Sequence, residues 1–123
     1  MENRIKTHKD LEVWNTSMDL VVDVYKLTKD FPSEEKFSLV DQMRRAAVSI
    51  PSNIAEGAGR TSSKEFSHFL SIAMGSTCEL ETQFILSHRL GFLEYNKELD
   101  SCIIRIKVML RGLMKSLESR GEK

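Results

Sequence analysis

Apolar side chains recur at intervals of three and four residues along four stretches of the chain, which is the spacing of one face of an α-helix. The first predicted helix begins near Asp10, a suitable N-cap, and ends before Pro32, which disfavours helix at the preceding residue. Its predicted inner face consists of Leu11, Trp14, Met18, Val21 and Tyr25. The second predicted helix runs from about Glu34, capped by Ser33, to about Ala58. Its predicted inner face consists of Leu39, Met43, Ala46, Ile50 and Ile54.

Pro51 lies inside the second stretch and lacks the N–H that would bond the carbonyl of Ala47. At about 100° per residue, the apolar positions before and after it fall within one arc roughly 80° wide. A break would scramble that register, so we predict one long helix that is kinked at Pro51. We expect Gly57 and Gly59 to end this helix with a left-handed cap.

A capping-box pattern, Ser62 with Glu65, starts the third predicted helix, and Gly91 is a suitable cap at its end. Gly75 in its middle is tolerable if another backbone approaches closely there. The predicted inner face consists of Phe66, Phe69, Ala73, Leu80 and Phe84. The fourth predicted helix has a heptad seam of Leu99, Ile103, Ile106, Leu110, Leu113 and Leu117. Its acidic start and basic end match the helix dipole, through Glu94, Glu98, Asp100, Arg111, Lys115 and Arg120.

No stretch alternates with a period of two, so the sequence predicts no sheet. Four helices with short links predict an all-α fold, an antiparallel up-down-up-down four-helix bundle. The length is that of a single domain, residues 1–123, with a core at about residues 10–118. The ends, residues 1–8 and 119–123, are expected to fray.

Composition narrows the setting of this bundle. Basic and acidic side chains number 18 each, so net charge indicates no partner. Cys78 and Cys102 lie in apolar helical patterns without a CxxC pair or a Cys/His cluster, so we expect buried free thiols and a cytoplasmic location. Residues 1–10 have no apolar segment typical of a secretory signal. No apolar run approaches the ~18 residues of a membrane span.

A polar stripe flanks the apolar face of the second helix and consists of Gln42, Arg45, Ser49, Asn53 and Glu56. Two interpretations are open: a subunit interface or buried polar network, and an ordinary boundary between core and solvent. On the third helix, Ser76 and Glu79 lie one turn apart. We expect them to be available to Arg44 or Arg45, and a buried Arg–Glu pair there would fix the register of the helices.

Three patterns bear on chemistry. The segment GAGRTSSK, residues 57–64, presents backbone N–H groups beside Arg60 and Lys64, but its spacing is not that of a nucleotide loop, and a helix-to-helix turn is favoured. Glu65 and His68 form a single E-x-x-H motif where a di-iron bundle needs two, so no metal, cofactor or catalytic group is predicted. Two basic sets can contact phosphate, with solvated helix faces as the alternative: Arg44, Arg45, Arg60 and Lys64, and Arg105, Lys107, Arg111 and Lys115.

The segments FPSEEKFSLVDQMRR, SIPSNIAEG, EFSHFL and GSTCEL, within about residues 11–93, resemble the four-helix-bundle family encoded by intervening sequences inside bacterial 23S rRNA genes. They are also similar to the accessory subunit of diversity-generating retroelements. The resemblance implies a homopentameric ring without enzymatic activity. In the retroelement relatives it also implies binding to nucleic acid and to a reverse transcriptase. This chain has His68 and Met74 where family members often carry arginine, which removes fixed positive charge from the third helix.

We therefore expect a non-enzymatic, homo-oligomeric bundle that binds RNA or DNA, with no cofactor. The expected contact residues are Arg44, Arg45, Arg60 and Lys64. The alternative is a protein–protein interaction scaffold that does not bind nucleic acid.

Overall fold

Four helices form an antiparallel bundle, and no strand occurs within the part of the chain that the structure covers. The computed structural model describes residues 6–121, with side chains through residue 119. The helices are α1 (Glu12–Thr28), α2 (Leu39–Ala58), α3 (Ser63–Arg89) and α4 (Lys97–Gly121). Short 3-10 turns at His8–Asp10 and Ser33–Glu35 precede α1 and α2. The predicted all-α four-helix bundle is thus confirmed.

Each helix packs against its neighbours in chain order, and α1 also packs against α4. The contacts between α2 and α3 show that the two helices are antiparallel. Near the start of α2, the hydroxyl of Ser87 lies 3.5 Å from the sulfur of Met43. Further along α2, Ser49 meets Ser76, which lies earlier in α3. Short connections between successive helices produce this up-down-up-down order.

The predicted inner faces of α2 and α4 are confirmed. All five predicted positions of α2 are buried, and the seam of α4 is buried except at Leu113, which is half-buried. Helix α2 continues without interruption through Pro51, as the unbroken phase of its apolar positions predicts. In α3, the predicted Ala73, Leu80 and Phe84 are buried, while the two phenylalanines near its start are half-buried.

The predicted inner face of α1 is confirmed in part: Leu11 is buried, and Trp14 and Val21 are half-buried against the core. Met18 and Tyr25 are 42% and 44% exposed, and the buried face includes Ser17 and Thr28. Their hydroxyls donate to carbonyls of their own helix, Ser17 Oγ at 2.9 Å and Thr28 Oγ1 at 2.8 Å. A hydroxyl satisfied in this way can be buried at little cost. The buried residues of this helix are Val13, Thr16, Ser17, Leu20, Val24 and Thr28.

Two predicted N-caps are also wrong. The carboxylate of Asp10 caps the preceding 3-10 turn instead of α1, and it accepts hydrogen bonds from the N–H groups of Lys6 and Thr7. These bonds hold the pKa of Asp10 below its usual range. Ser33 does not cap α2, because residues 33–35 form their own turn. Helix α2 starts later, where Ser38 Oγ accepts from the next N–H group.

The left-handed cap predicted at Gly57 and Gly59 is wrong. Gly57 lies inside α2, and Gly59 has a right-handed φ of −83°. Gly57 is required for space, since a Cβ built there would lie 2.8 Å from the Cβ of Phe69 and 2.9 Å from Cδ1 of Phe66. Gly75 shows the opposite: no heavy atom lies within 4 Å of a Cβ built there, so the predicted close approach of a backbone is not found.

Ser62 caps α3 and Gly91 ends it, as predicted, but among the described residues the Glu65 side chain does not return the second bond of the predicted capping box. Ser62 Oγ accepts from the N–H of Glu65 at 3.1 Å at its start. At its end, Gly91 has a φ of +81°, and the N–H of Phe92 bonds the carbonyl of Ser87 at 2.9 Å, which is a Schellman cap. The described elements extend from the turn at His8–Asp10 to the end of α4. Residues 1–5 and 122–123, where fraying was expected, lie outside the described residues.

Candidate functional site

Five of the eight basic side chains singled out by the sequence have partners within the chain. Arg44 is the most firmly held. Its Nε donates to Thr28 Oγ1 at 3.0 Å, and its Nη2 donates to the carbonyl of Tyr25 at 3.2 Å. Its guanidinium also lies 4.4 Å from the centroid of the Tyr25 ring. Arg44 therefore ties α2 to the end of α1.

Arg45 and Arg60 form ion pairs within one turn of chain. Arg45 pairs with Asp41 at 3.0 Å, and its side chain is 78% exposed. Arg60 pairs with Glu56 at 2.9 Å, and its guanidinium lies 4.8 Å from the Phe69 ring centroid. Such exposed pairs contribute little stability, on the order of 0.5 kcal/mol or less. Arg60 thus faces a carboxylate and an aromatic ring of its own subunit.

Two basic residues of α4 connect this helix to its neighbours. Arg105 donates to Thr16 Oγ1 of α1 at 3.5 Å. Lys107 forms a half-buried ion pair with Glu81 of α3. Both side chains therefore have a structural role in the bundle.

The remaining three basic residues, Lys64, Arg111 and Lys115, meet in one groove between the start of α3 and the end of α4. Its volume is about 830 Å³, which leaves room for more than one phosphate group. We call it the basic groove. Its lining residues are Ser63, Lys64, Ser67, His68, Ser71, Arg111, Met114, Lys115, Leu117 and Glu118.

The charges of the basic groove favour an anion. Lys64 and His68 lie one turn apart on α3, Arg111 and Lys115 lie one turn apart on α4, and Glu118 is the acidic residue of the lining. Within residues 6–119, none of the three fixed cations forms an ion pair within 4.0 Å. The first turn of α3 adds the positive pole of a helix, while the end of α4 contributes a negative pole that partly offsets it. The excess positive charge thus comes from the side chains.

The polar stripe of α2 forms a network with α3. Ser49 Oγ lies 2.7 Å from Ser76 Oγ, and Asn53 Nδ2 donates to Ser49 Oγ at 2.9 Å and to the Ser49 carbonyl at 2.8 Å. These three side chains therefore join two helices of the same chain. Glu79 is exposed and accepts from Gln83 instead of from an arginine, so the expected Arg–Glu pair is not formed.

The other members of the predicted interface set are at the surface or in local pairs. Gln42 is exposed, and Glu56 is engaged with Arg60. Their place in a subunit interface stays a prediction.

The two cysteines differ in environment. Cys78 is exposed, contrary to prediction, and Cys102 is half-buried. Burial raises the pKa of the Cys102 thiol. In the described part of the chain, no three His, Cys, Asp or Glu side chains are placed to hold a metal ion. None of the helices in that part is both long and apolar enough to cross a membrane.

Sequence reasoning placed Lys64 among the expected contact residues but did not include Arg111 and Lys115 in that set. The signal was present, since two basic residues four apart share one face of a helix. We attributed that spacing to the dipole of α4. Arg44, Arg45 and Arg60 were favoured instead, and the structure places them in contacts within the chain and outside the lining of the basic groove.

The fold and the groove define a class: an all-α four-helix bundle with a cationic groove at one end. The chain belongs to the family of 23S rRNA-intervening sequence proteins, which matches residues 9–112. It is similar in structure to a protein of unknown function from the S23 ribosomal protein family of Bacteroides thetaiotaomicron, solved by crystallography. The TM-score is 0.60 at 24% identity, over 90% of this chain and 99% of that one, and the likeness concerns the fold. No curated protein matches the sequence.

Proposed function

We propose that this chain is a non-enzymatic, homo-oligomeric bundle that binds the phosphate backbone of RNA or DNA through the basic groove. One observation carries the proposal: three basic side chains without an ion-pair partner among the described residues converge on one cavity. All three side chains are exposed and repel one another, and a bound anion would relieve this repulsion. The family's link to rRNA genes makes a nucleic acid the natural source of that anion.

The lining of the groove points to recognition of the backbone instead of the bases. No phenylalanine, tyrosine or tryptophan lines it, so stacking on bases contributes little. Ser63 and Ser67 place hydroxyl groups along the same wall, where they can donate to phosphate oxygens. The hydroxyl of Ser71 donates instead to the carbonyl of His68, at 2.8 Å. We therefore expect binding that depends weakly on sequence and strongly on salt.

The strength of this binding follows from the number of cations. Three phosphate contacts per subunit give a slope of log affinity against log salt of about −2 to −2.7, depending on whether the nucleic acid is single- or double-stranded. Raising salt from about 50 to 200 mM then weakens one groove roughly 20- to 40-fold. Several grooves in one oligomer multiply such weak contacts by raising the effective concentration.

A surface on α3 supports association and also favours the second candidate function, a protein–protein interaction scaffold. From residue 71 to residue 86, Glu79 is the one charged residue among the exposed side chains of this helix. A solvated helix face usually carries many charges. The exposed residues of this stretch are Ser71, Ile72, Gly75, Cys78, Glu79, Thr82, Ile85 and Leu86. We propose that a second copy of the chain covers this face. If the chain is instead a protein–protein scaffold, the first partner to test is a reverse transcriptase, as in the retroelement relatives.

The proposal is tested by titrating labelled structured RNA and DNA with the protein at about 50 and 200 mM salt and following fluorescence anisotropy. The groove variant combines three neutral substitutions, Lys64→Gln, Arg111→Gln and Lys115→Gln. A control variant removes equal charge at exposed sites outside the groove, Lys26→Gln, Lys29→Gln and Lys97→Gln. We expect the groove variant to lose at least tenfold more affinity than the control.

Two results would contradict the proposal. Equal losses in the two variants would show that the groove is not the contact site. No binding by the wild-type chain even at low salt would favour the scaffold. Light scattering on the same protein tests assembly separately, and a monomer at all concentrations would contradict the homo-oligomer.

A further inference from the structure

Phe37 is the most exposed large apolar side chain of the described residues, at 87%. It lies in the connection between α1 and α2, next to Lys36, whose ammonium is 5.6 Å from the centroid of its ring. A phenyl ring in water loses the favourable burial that aromatic side chains usually find. Phe37 therefore has no packing role within its own subunit.

A cavity of about 110 Å³ lies between the end of α3 and the start of α4. Phe84, Leu99 and Ile103 are buried residues that line it, and Ile85 and Tyr95 line it from exposed positions. An apolar cavity on the order of 150 Å³ holds a benzene molecule. The cavity therefore has the size and the character to take most of one aromatic side chain.

The ring and the cavity lie at the same end of the bundle. The rings of Phe31 and Phe92, one from each of the two connections at this end, have centroids 5.5 Å apart. Phe37 belongs to the α1–α2 connection, whereas the cavity is formed by α3 and α4. Since Phe37 is exposed, it does not fill the cavity of its own subunit.

Charge beside the ring complements charge beside the cavity. Lys36 precedes Phe37, and Asp100 lines the cavity as a half-buried carboxylate. Asp100 accepts a hydrogen bond from the Tyr95 hydroxyl at 3.4 Å, and within residues 6–119 it forms no ion pair. An inserted ring would bring the Lys36 ammonium towards this carboxylate, which favours one orientation of the partner.

We infer that Phe37 of one copy inserts into this cavity of a second copy, with Lys36 facing Asp100. The inference rests on the proposed homo-oligomer and not on nucleic-acid binding. Ring and cavity are different patches of the surface, so the contact is heterologous, and each copy offers one of each. Because both patches lie at the same end, the contact joins copies side by side.

The test uses two variants that each remove one half of the contact. Phe37→Ala removes the ring and leaves the cavity, while Ile85→Lys places a charge at the cavity mouth and leaves the ring. Both positions are exposed, at 87% and 52%, so both variants are expected to fold. Matched controls are Val22→Ala and Val108→Lys, which alter exposed apolar residues that do not line the cavity.

Sedimentation velocity over a concentration series provides the readout. We expect each half-contact variant to raise the dissociation constant of assembly at least about 30-fold, the effect of losing a central aromatic anchor. An equimolar mixture of the two variants should form a one-to-one dimer and nothing larger. The mixture retains only one complete pairing, the Phe37 of the Ile85→Lys chain in the cavity of the Phe37→Ala chain. The controls should assemble like the wild type.

The outcomes separate this inference from the proposal on which it rests. Wild-type assembly that persists in Phe37→Ala, or a mixture that stays monomeric, would overturn the Phe37 contact and leave the homo-oligomer standing. A wild-type chain that is monomeric throughout would overturn both. Assembly of the groove variant without RNA binding would show that association does not depend on the groove.

Discussion

Replacing Gly57 with alanine tests the packing of α2 against α3. The new Cβ would lie 2.8 Å from Cβ of Phe69, 2.9 Å from Cδ1 of Phe66 and 3.2 Å from the Phe66 carbonyl oxygen. Carbon atoms pack best at about 3.5–4.0 Å, so the shortest contact is about 0.7 Å too close. The Phe66 ring can turn aside. The Cβ of Phe69 and the Phe66 carbonyl move only with the backbone of α3, so the two helices must separate.

Forcing such extra volume into a packed interface costs about 1–3 kcal/mol. Alanine in place of a helical glycine offsets this by about 1 kcal/mol. Gly75→Ala and Gly112→Ala provide matched controls, because no heavy atom lies within 4 Å of a Cβ built at either position. Helix propensity cancels in the comparison. Gly57→Ala is therefore expected to be about 1–3 kcal/mol less stable than either control.

Urea unfolding followed by far-ultraviolet circular dichroism measures the three free energies. All variants must be compared at one protein concentration, since the proposed assembly would add to the apparent stability. The two controls lie on different helices, so agreement between them would exclude an effect of the α3 surface on the comparison. A Gly57→Ala variant as stable as the controls would refute the close approach of α2 and α3.

Other predictions concern the arginines of α2 and the two thiols. Arg44→Ala should destabilise the fold by about 1–2 kcal/mol, because it removes two hydrogen bonds and a cation–π contact. Arg45→Ala should change stability by about 0.5 kcal/mol or less, and equal effects in urea unfolding would contradict the structure. At concentrations where the chain is dissociated, a soluble aromatic disulfide should react faster with Cys78 than with Cys102, and equal rates would contradict their environments. Since the pKa of Cys102 is raised in the fold, its contribution to stability is complete below about pH 9.0, the usual pKa of a thiol. That contribution is lost as pH rises through the pKa of the folded state. Urea unfolding at several pH values across that range can measure the loss.

The number and order of the helices could be predicted from the sequence. Where the buried residues are aliphatic, the spacing of apolar positions shows directly which face of a helix is buried. The seam of α4 is the clearest case. In α1 the same reasoning missed part of the buried face, since Ser17 and Thr28 are buried with their hydroxyls bonded to their own helix. A pattern of residue types counts such side chains as polar. Thr77 of α3 is buried in the same way, with its hydroxyl on the carbonyl of Ala73.

Glycine signals were ambiguous for a related reason. Gly91 has the left-handed backbone that its position predicts. Position 57, in contrast, requires a residue without a Cβ because Phe66 and Phe69 pack against it. Local sequence does not separate these two causes, since the second depends on a neighbouring helix. The resemblance to the 23S rRNA-intervening sequence family, in contrast, rests on several short segments at once, and the family match confirms it.

The groove was only partly predictable because its charges come from two helices that are distant in sequence. Lys64 was expected to contact phosphate from its place beside the turn before α3. Arg111 and Lys115 were in a separate basic set, and their place beside Lys64 became apparent only when the bundle placed the end of α4 beside the start of α3. Conversely, the sequence did not reveal the partners of Arg44 and Arg60 within the chain, and in the structure both are bound by other side chains.

The most direct test of the central claim is the salt dependence of binding to an oligonucleotide short enough to occupy one groove. Anisotropy titrations at several salt concentrations give the slope of log affinity against log salt. The wild-type chain and the Lys26/Lys29/Lys97 control variant should both show a slope of about −2 to −2.7, the value for three phosphate contacts. The Lys64/Arg111/Lys115 variant should show a slope near zero. The same slope for the wild-type chain and the groove variant would contradict binding of phosphate by this groove.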